Sequence, residues 1–363
     1  MFSKYKKRFL PLFLLFFSLF FPILSVQAAD SLTVHFLDVG QGLSVLLQSN
    51  GHYALYDGGD KDHSSRVVSY LQDAGVSSLD YVISSHYDSD HLNGLVGALY
   101  AFPVEQVLGP DYTRDTSVYQ SFVNAVSSQG LSVTHPDVGS TWKLGSSTFT
   151  VLAPNSSSYN NSNDYSIVLK VSLGSDSFLL MGDAESTSEE EILNNGLDVS
   201  CDVLCVGHHG SASSTTWDLL EQALPEWAVI SCGVSNDYGH PHSETMEKLE
   251  SMEISVFRTD LQGDITAFTD GNGIYWNTDP CNDYSSGDST SFSECDNASR
   301  ENTEVSQAVS AGTDYVVNTN SGKFHVPSCR YADEIKDSNR LDYTGSRDEL
   351  ISQGYIPCKV CNP

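Results

Sequence analysis

Positive charge is scarce in this 363-residue chain: 18 Lys and Arg stand against 47 Asp and Glu, a formal net charge of −29. That imbalance excludes a protein that coats nucleic acid by charge alone. Any phosphate-bearing ligand has to be held by local cations, against the field of the whole molecule. Long apolar runs are missing after residue 26, so no later segment reads as membrane-spanning. Acidic residues are missing from positions 1–28. Apolar residues as a class are not lacking: at 40% hydrophobic content the chain can build a sizeable core, which excludes whole-chain disorder, and its length allows about two domains.

The acid-free start carries Lys4, Lys6, Lys7 and Arg8, then an apolar run from Phe9 to Val26. Val26-Gln27-Ala28 places small residues at the −3 and −1 positions of a cleavage site, so residues 1–28 are read as a signal peptide. The alternative is an uncleaved membrane anchor, since the run approaches spanning length. Cleavage removes four cations and takes the net charge from −29 to −33. The expected mature protein is secreted, acidic and without a membrane span. Export permits disulfides, and Cys281 and Cys295 flank a polar stretch that such a bridge would close. Cys201, Cys205 and Cys232 lie on apolar strand-like runs and read as buried thiols.

From Ser31 to about Thr278, β-rich runs alternate with helical stretches. Leu32–Phe36, Tyr81–Ser85, Ser166–Val171, Ser177–Met181 and Asp202–Val206 read as strands; Ser64–Ala74, Val118–Ser128, Ser214–Leu224 and Ser243–Met252 read as helices. Ser243 reads as an N-cap. The alternation predicts an α/β layered domain over 31–278. Residues 279–312 are rich in Ser, Asp, Glu and Asn with Arg300 as their one cation, and read as an acidic linker. A module of about 50 residues, 313–363, follows; it is too small for a generous core and is expected to need a staple.

Three strand ends finish in metal-type ligands. His86-Tyr-Asp88-Ser-Asp90-His91 follows an apolar strand, Gly182-Asp183 follows a second, and Gly207-His208-His209-Gly210-Ser211 follows a third. Functional groups of α/β sheets collect at such ends, and imidazole with carboxylate suits zinc, or manganese where oxygens dominate. Taken singly, each has a plainer reading: a solvated loop, a helix cap, a satisfied histidine near the core. Jointly they resemble the metallo-β-lactamase superfamily, and more narrowly the hydrolase domain of the ComEC competence proteins. Phe36-Leu-Asp38-Val-Gly40-Gln41-Gly42, Tyr56-Asp57-Gly58-Gly59, Asn163, Tyr238-Gly-His240-Pro-His242 and Arg258-Thr-Asp260 extend the match.

The resemblance implies an αββα sandwich with two divalent metal ions along one edge. Carried over, His86, Asp88, Asp90 and His91 become ligands, Asp183 bridges the two metals, and the last ligand falls on the histidine pair, with His209 preferred and His208 facing the substrate. Asp88 and Asn163 stand where many members have His, so one metal position is expected to be richer in oxygen, with Asn163 as a second-metal contact. Leu43 stands where the ComEC-like pattern usually has an acid. The catalytic set is Asp90 in the metal centre, with His208, His240 or His242 as the proton donor that expels an alcohol. A turn before a capped helix is the plainer reading of His240-Pro-His242.

In the C-terminal module, His325-x3-Cys329 and Cys358-x2-Cys361 suit a tetrahedral structural zinc; three cysteines are an odd number for disulfides. The frame around them resembles the Ada-type zinc-binding domain. That domain's methyl-accepting cysteine is here His325, so methyl transfer is not expected. Arg330, Arg347 and Lys359 read as surface cations that can touch a phosphate backbone. The expected function is a secreted metal-dependent phosphodiesterase or nuclease acting on DNA. The alternatives are a phosphoesterase or lactonase with a small extracellular substrate, and a non-catalytic nucleic-acid or surface-binding protein.

Overall fold

The computed structural model describes residues 30–287, 313–319, 323–329, 332, 335, 340–358, 361 and 363. Residues 1–28, read above as a signal peptide, most of 279–312, Cys295, Arg330 and Lys359 lie outside the described residues. The first half of the larger unit contributes β1 (Leu32–Phe36), β2 (Val45–Ser49), β3 (His52–Tyr56), α1 (Ser64–Asp73), β4 (Leu79–Ile83), α2 (Ser89–Ala101), β5 (Val104–Leu108), α3 (Ser117–Ser128) and β6 (Val133–Thr134). The second contributes β7 (Thr141–Leu144), β8 (Ser147–Ala153), β9 (Val168–Leu173), β10 (Asp176–Leu180), α4 (Ser186–Asn194), β11 (Val203–Cys205), α5 (Trp217–Ala223), β12 (Trp227–Ile230), α6 (Ser243–Ser251), β13 (Ser255–Arg258), α7 (Thr259–Gln262), β14 (Ile265–Thr269) and β15 (Ile274–Trp276).

These strands form two sheets, ordered β15-β14-β1-β2-β3-β4-β5-β6 and β13-β12-β11-β10-β9-β8-β7. Inward residues of both sheets, among them Phe36, Val45, Tyr56, Phe149, Leu169 and Phe178, make one dry core between them. The outer face of the first sheet packs on α1, α2 and α3 through Val67, Leu92, Leu95 and Phe122. The outer face of the second packs on α4, α5 and α6 through Ile192, Leu219 and Met246. The result is the expected αββα sandwich. β10 and β11 are buried on both faces, which is why their sequences run apolar without alternation.

Three local expectations are corrected. Ser243 is the first residue of α6, not its cap: His242 is at the N-cap, and the Ser243 hydroxyl turns to Glu244. α5 starts three residues later than Ser214, because Thr215 takes a left-handed φ of +55° and Thr216 caps the helix by accepting from Leu219 N. The sandwich also runs past Thr278. Asn282 pairs with the backbone of Val256 on β13, Tyr284 donates to Ile254 O, Arg258 donates to Ser285 O at 2.6 Å, and Gly287 N donates to Pro241 O. These polar residues cover the edge strand β13, a role that composition does not register.

The C-terminal module is a sheet ordered β18-β16-β17-β19, from β16 (Thr313–Asn318), β17 (Lys323–His325), β18 (Arg340–Gly345) and β19 (Ile356–Pro357), with α8 (Arg347–Ser352). A capping box between Ser346 and Glu349 starts α8. Its apolar clusters are small: Tyr315, Val317, Phe324 and Leu350 in one, Val316, Cys329, Ala332, Ile335 and Cys358 in the other. Among the described residues no helix is long and apolar enough to cross a membrane.

Candidate metal centre

The sandwich brings the three strand ends to one edge. His86 and Asp88 lie on the loop after β4, and Asp90 and His91 form the first turn of α2. α2 can begin there because Gly58 and Gly94 meet backbone to backbone: a Cβ on either would run into the other, and Gly58 N donates to His91 O at 2.7 Å. Asp183 follows β10 after Gly182, whose φ is +55° and whose missing Cβ leaves room for Ser85 and Tyr56. His208 and His209 follow β11, both with left-handed φ, +49° and +56°.

The two oxygens of Asp183 face two groups of ligands. Its Oδ1 is 3.2 Å from His91 Nε2 and 3.5 Å from His209 Nε2, and Asp90 Oδ2 is 3.5 Å from the same His209 nitrogen. Donor atoms of Asp90, His91, Asp183 and His209 all lie within 4.8 Å of one another. Its Oδ2 is 3.8 Å from both His86 Nε2 and His208 Nε2, and Asp88 Oδ2 is 3.9 Å from His86 Nε2.

Hydrogen bonds behind the histidines set their tautomers. His91 donates from Nδ1 to Asp57 Oδ2 at 2.7 Å, and His209 donates from Nδ1 to Ser231 O at 2.9 Å. Ser85 spends its hydroxyl hydrogen on Asp57 at 2.6 Å, so at 3.0 Å it accepts from His86 Nδ1. With Nδ1 occupied behind them, all three rings turn Nε2 to the centre, the nitrogen that binds a metal once its proton is displaced.

The charges explain the titration of the cluster. Burial opposes protonation of His91, but Asp183, Asp57 and Asp90 outweigh it and hold its pKa well above the usual histidine range. His209 is likewise pushed up to about 9 by Asp183 and Asp90 despite burial. His86, buried and beside His91, falls to about 3. Asp183 and Asp90 are held low by the adjoining histidines, against burial. Asp57 is raised by its own burial. Without a cation, the cluster gathers protons to offset its acids.

The donor set fits metal ions on a structural observation. His86 Nε2, His91 Nε2, Asp183 Oδ1 and His209 Nε2 are buried with no hydrogen-bond partner. Buried polar atoms are as a rule satisfied, and although others such as Trp142 Nε1 and Ser188 Oγ lack a partner here, four that converge on one point mark a place for a cation.

The remaining expected residues separate. Gln41 donates from Nε2 to His240 Nδ1 at 3.2 Å while its Oε1 accepts from Gly233 N. His240 is therefore the Nε2–H tautomer; burial and the nearby His209, His208 and His242 lower its pKa to about 3, so it is neutral. His242 is corrected. Its Nδ1 accepts from Ala212 N at 2.9 Å and its Nε2 donates to Tyr238 O at 3.0 Å, so both nitrogens serve the backbone and neither is free to give a proton to substrate. Asn163 turns its amide nitrogen to Glu185 Oε1 at 2.9 Å. The Leu43 side chain is buried in the inter-sheet core, and its backbone N donates to Asp90 O.

Sequence reasoning assigned no role to Asp57, Glu185 or Arg114. Asp57, fully buried, is an acid at a fourth strand end, the one signal that could have found it. Glu185 lies two residues after Asp183 and 3.1 Å from His208 Nδ1; hydrogen bonds from His208 and Asn163 lower its pKa against partial burial. Arg114 pairs with Asp88 at 3.1 Å from a loop with no motif.

In the C-terminal module, His325, Cys329, Cys358 and Cys361 bring their donor atoms within 4.8 Å of one another. Arg347 donates to Pro363 O at 2.6 Å.

Residues 37–234 match the family model of the metallo-beta-lactamase superfamily, more than half of the chain. The chain belongs to that superfamily. Curated relatives include ComE operon protein 3 of Bacillus subtilis, 29% identical over 70% of this chain and 34% of its own length. Recombination protein 2 of Haemophilus influenzae is 35% identical over 63% of this chain and 28% of its own length, and competence protein ComA of Neisseria gonorrhoeae is 31% identical over 62% and 30%. These bear out the likeness to the ComEC-type hydrolase domain. The chain spans about a third of the length of these relatives. Among solved structures, the metallo-beta-lactamase fold protein YhfI of Bacillus subtilis aligns over 68% of this chain and all of its own, at 15% identity and a TM-score of 0.44. Membership makes the chain a metallo-hydrolase, and the superfamily implies divalent ions that the converging donors fit.

Proposed function

We propose that this metallo-hydrolase is an exported phosphodiesterase that cleaves DNA. The observation that carries the reading is the set of orphaned, converging atoms on His86, His91, Asp183 and His209. The names of the curated relatives, a competence protein and a recombination protein among them, point the substrate toward DNA. Divalent ions held there supply Lewis-acid activation of water and stabilisation of charge on a phosphoryl oxygen.

His86, Asp88 and Asp183 would hold one ion; Asp90, His91, Asp183 and His209 would hold the other. Three carboxylates offset three of the four charges of two divalent ions, which leaves the site locally positive within an acidic protein. Arg114 adds a partly exposed cation beside Asp88, available to a phosphate group of the substrate. Asp57 orients His91, and Ser85 orients His86. His240 places its Nε2–H as a hydrogen-bond donor to the leaving oxygen, held there by Gln41. Export follows from the leader read in residues 1–28, and His325, Cys329, Cys358 and Cys361 hold a structural zinc.

End-labelled linear single- and double-stranded DNA incubated with metal-loaded protein tests the reading. Cleavage that stops with EDTA and with Asp90→Ala is the expected result. Intact DNA with fully metallated protein overturns it. The net charge of −29 favours a second reading, a small substrate with little charge of its own. Turnover of a chromogenic phosphodiester or a lactone, with DNA ignored, selects that reading.

A further inference from the structure

His208 is the imidazole at the strand-end cluster that neither set of ligands above employs. We propose that it is a metal ligand, completing the half of the centre formed by His86, Asp88 and Asp183, and that Glu185 is the carboxylate that orients it. The histidine pair is then split, with His209 serving one ion and His208 the other. This rests on the metal-dependent reading of the site and adds a ligand to it.

Position is the first support. His208 Nε2 lies 3.8 Å from Asp183 Oδ2, the same separation as His86 Nε2 from that oxygen. Donors bound tetrahedrally at roughly 2.0–2.2 Å sit roughly 3.3–3.6 Å apart, so His208 Nε2 and Asp183 Oδ2 come to a ligating separation with a shift of a few tenths of an ångström. Tautomer is the second support. His208 Nδ1 is 3.1 Å from Glu185 Oε1 and 3.2 Å from Ser213 Oγ. A carboxylate only accepts, so pairing with Glu185 favours the hydrogen on Nδ1 and leaves Nε2 with the lone pair. A ring in that state offers a metal an electron pair and has no proton at Nε2 to give a leaving group. His240, fixed as the Nε2–H tautomer, fills the donor role instead.

The backbone shows how two adjacent residues reach one carboxylate. His208 and His209 both take left-handed φ, a costly conformation for residues with a Cβ. It is held by His208 N donating to Gly182 O at 3.0 Å and Ser211 N donating to His208 O at 2.8 Å. The two rings thereby meet opposite oxygens of Asp183.

Asn163 supplies the reason for the change. The superfamily resemblance puts a ligating histidine at that position, whereas this chain directs the Asn163 amide at Glu185. Its nitrogen lies 3.4 Å from both ring nitrogens of His208 and so singles out neither. A site that elsewhere supplies a ligand here steadies the carboxylate behind a different one.

Full-length protein, stripped with chelator and titrated with Mn²⁺ while free Mn²⁺ is followed by electron paramagnetic resonance, counts the ions and their affinities. Wild type is expected to bind two equivalents. His208→Ala keeps one tight equivalent and loses the second or weakens it at least tenfold. Glu185→Gln keeps two and weakens one by about 10–100-fold. His240→Ala retains both affinities. Glu185→Gln changes no volume, so matched thermal unfolding in chelator separates lost ligation from lost fold. Two equivalents of unchanged affinity in His208→Ala overturn the assignment, as does loss of the second ion on Asn163→Ala with His208→Ala unaffected. Wild type that binds no Mn²⁺ or Zn²⁺ overturns both this and the metal-dependent function.

Discussion

The two metal-type clusters of this chain stand in opposite relations to their folds. In the sandwich, donors come from three separate strand ends, over a core that includes Phe36, Tyr56, Phe149 and Phe178. In the C-terminal module, His325, Cys329, Cys358 and Cys361 join a sheet whose apolar clusters hold four and five buried residues among the described residues. A large core can hold acids and imidazoles together at a cost that an ion later relieves. A small one supplies less of that stability, and there an ion is expected to be part of the fold. In the sandwich the metal is expected to follow the fold; in the module the fold is expected to follow the metal.

Chelation gives the sharpest contrast. Removal of zinc is expected to unfold the module, with roughly 10 kcal/mol or more of binding energy tied to its folding. The sandwich keeps its structure. Calorimetry of the full chain then shows a separate low-temperature transition in EDTA, and Cys358→Ala reproduces it without chelator. A single transition indifferent to EDTA breaks the comparison.

Asp183→Ala is next. It removes the carboxylate facing both ligand groups, and the rate of phosphodiester cleavage is expected to fall by about a thousandfold or more, ~4 kcal/mol of transition-state stabilisation. The unfolding midpoint of chelated protein falls modestly, because the pairs that Asp183 makes with protonated His91 and His209 go with it. A large fall in that midpoint contradicts a sandwich that folds without its ions.

Asp57→Asn probes the layer behind the ligands. Asp57 accepts from His91, Ser85 N and Ser85 Oγ, and losing its charge is expected to weaken metal binding by about 10–100-fold with the ligands intact. Isothermal titration with Zn²⁺ measures this. Arg114→Ala has the smallest effect: KM for DNA rises by less than about tenfold, kcat holds, and the dependence of KM on salt flattens. An unchanged salt dependence removes Arg114 from substrate binding.

Much of the site was legible because its ligands follow apolar strands that are themselves easy to read. His86, Asp88, Asp90, His91, Asp183 and His209 all fall in short motifs after such runs, and the structure gathers them at one edge. His242 misled for a physical reason: a histidine two residues from His240 invites pairing into one cleft, yet backbone groups of Ala212 and Tyr238 take both its nitrogens. Arg114 was invisible because its partner Asp88 comes from a different loop, with no spacing in the chain to announce it. The reach of the sandwich to Gly287 was hidden because edge-covering contacts are made by polar residues that look like linker.

By itself, the order of residues determined the layers and the ligand types, because alternation, apolar runs and strand-end motifs are local properties of a chain. Only the tertiary structure decided which nitrogen each histidine turns to the centre, which oxygen of Asp183 each ring faces, and which carboxylate stands behind it. Those choices depend on hydrogen bonds between residues separated in the chain, from Asp57 to His91 and from Asn163 to Glu185, which exist only once strand pairing has set β3 beside β4 and β9 beside β10.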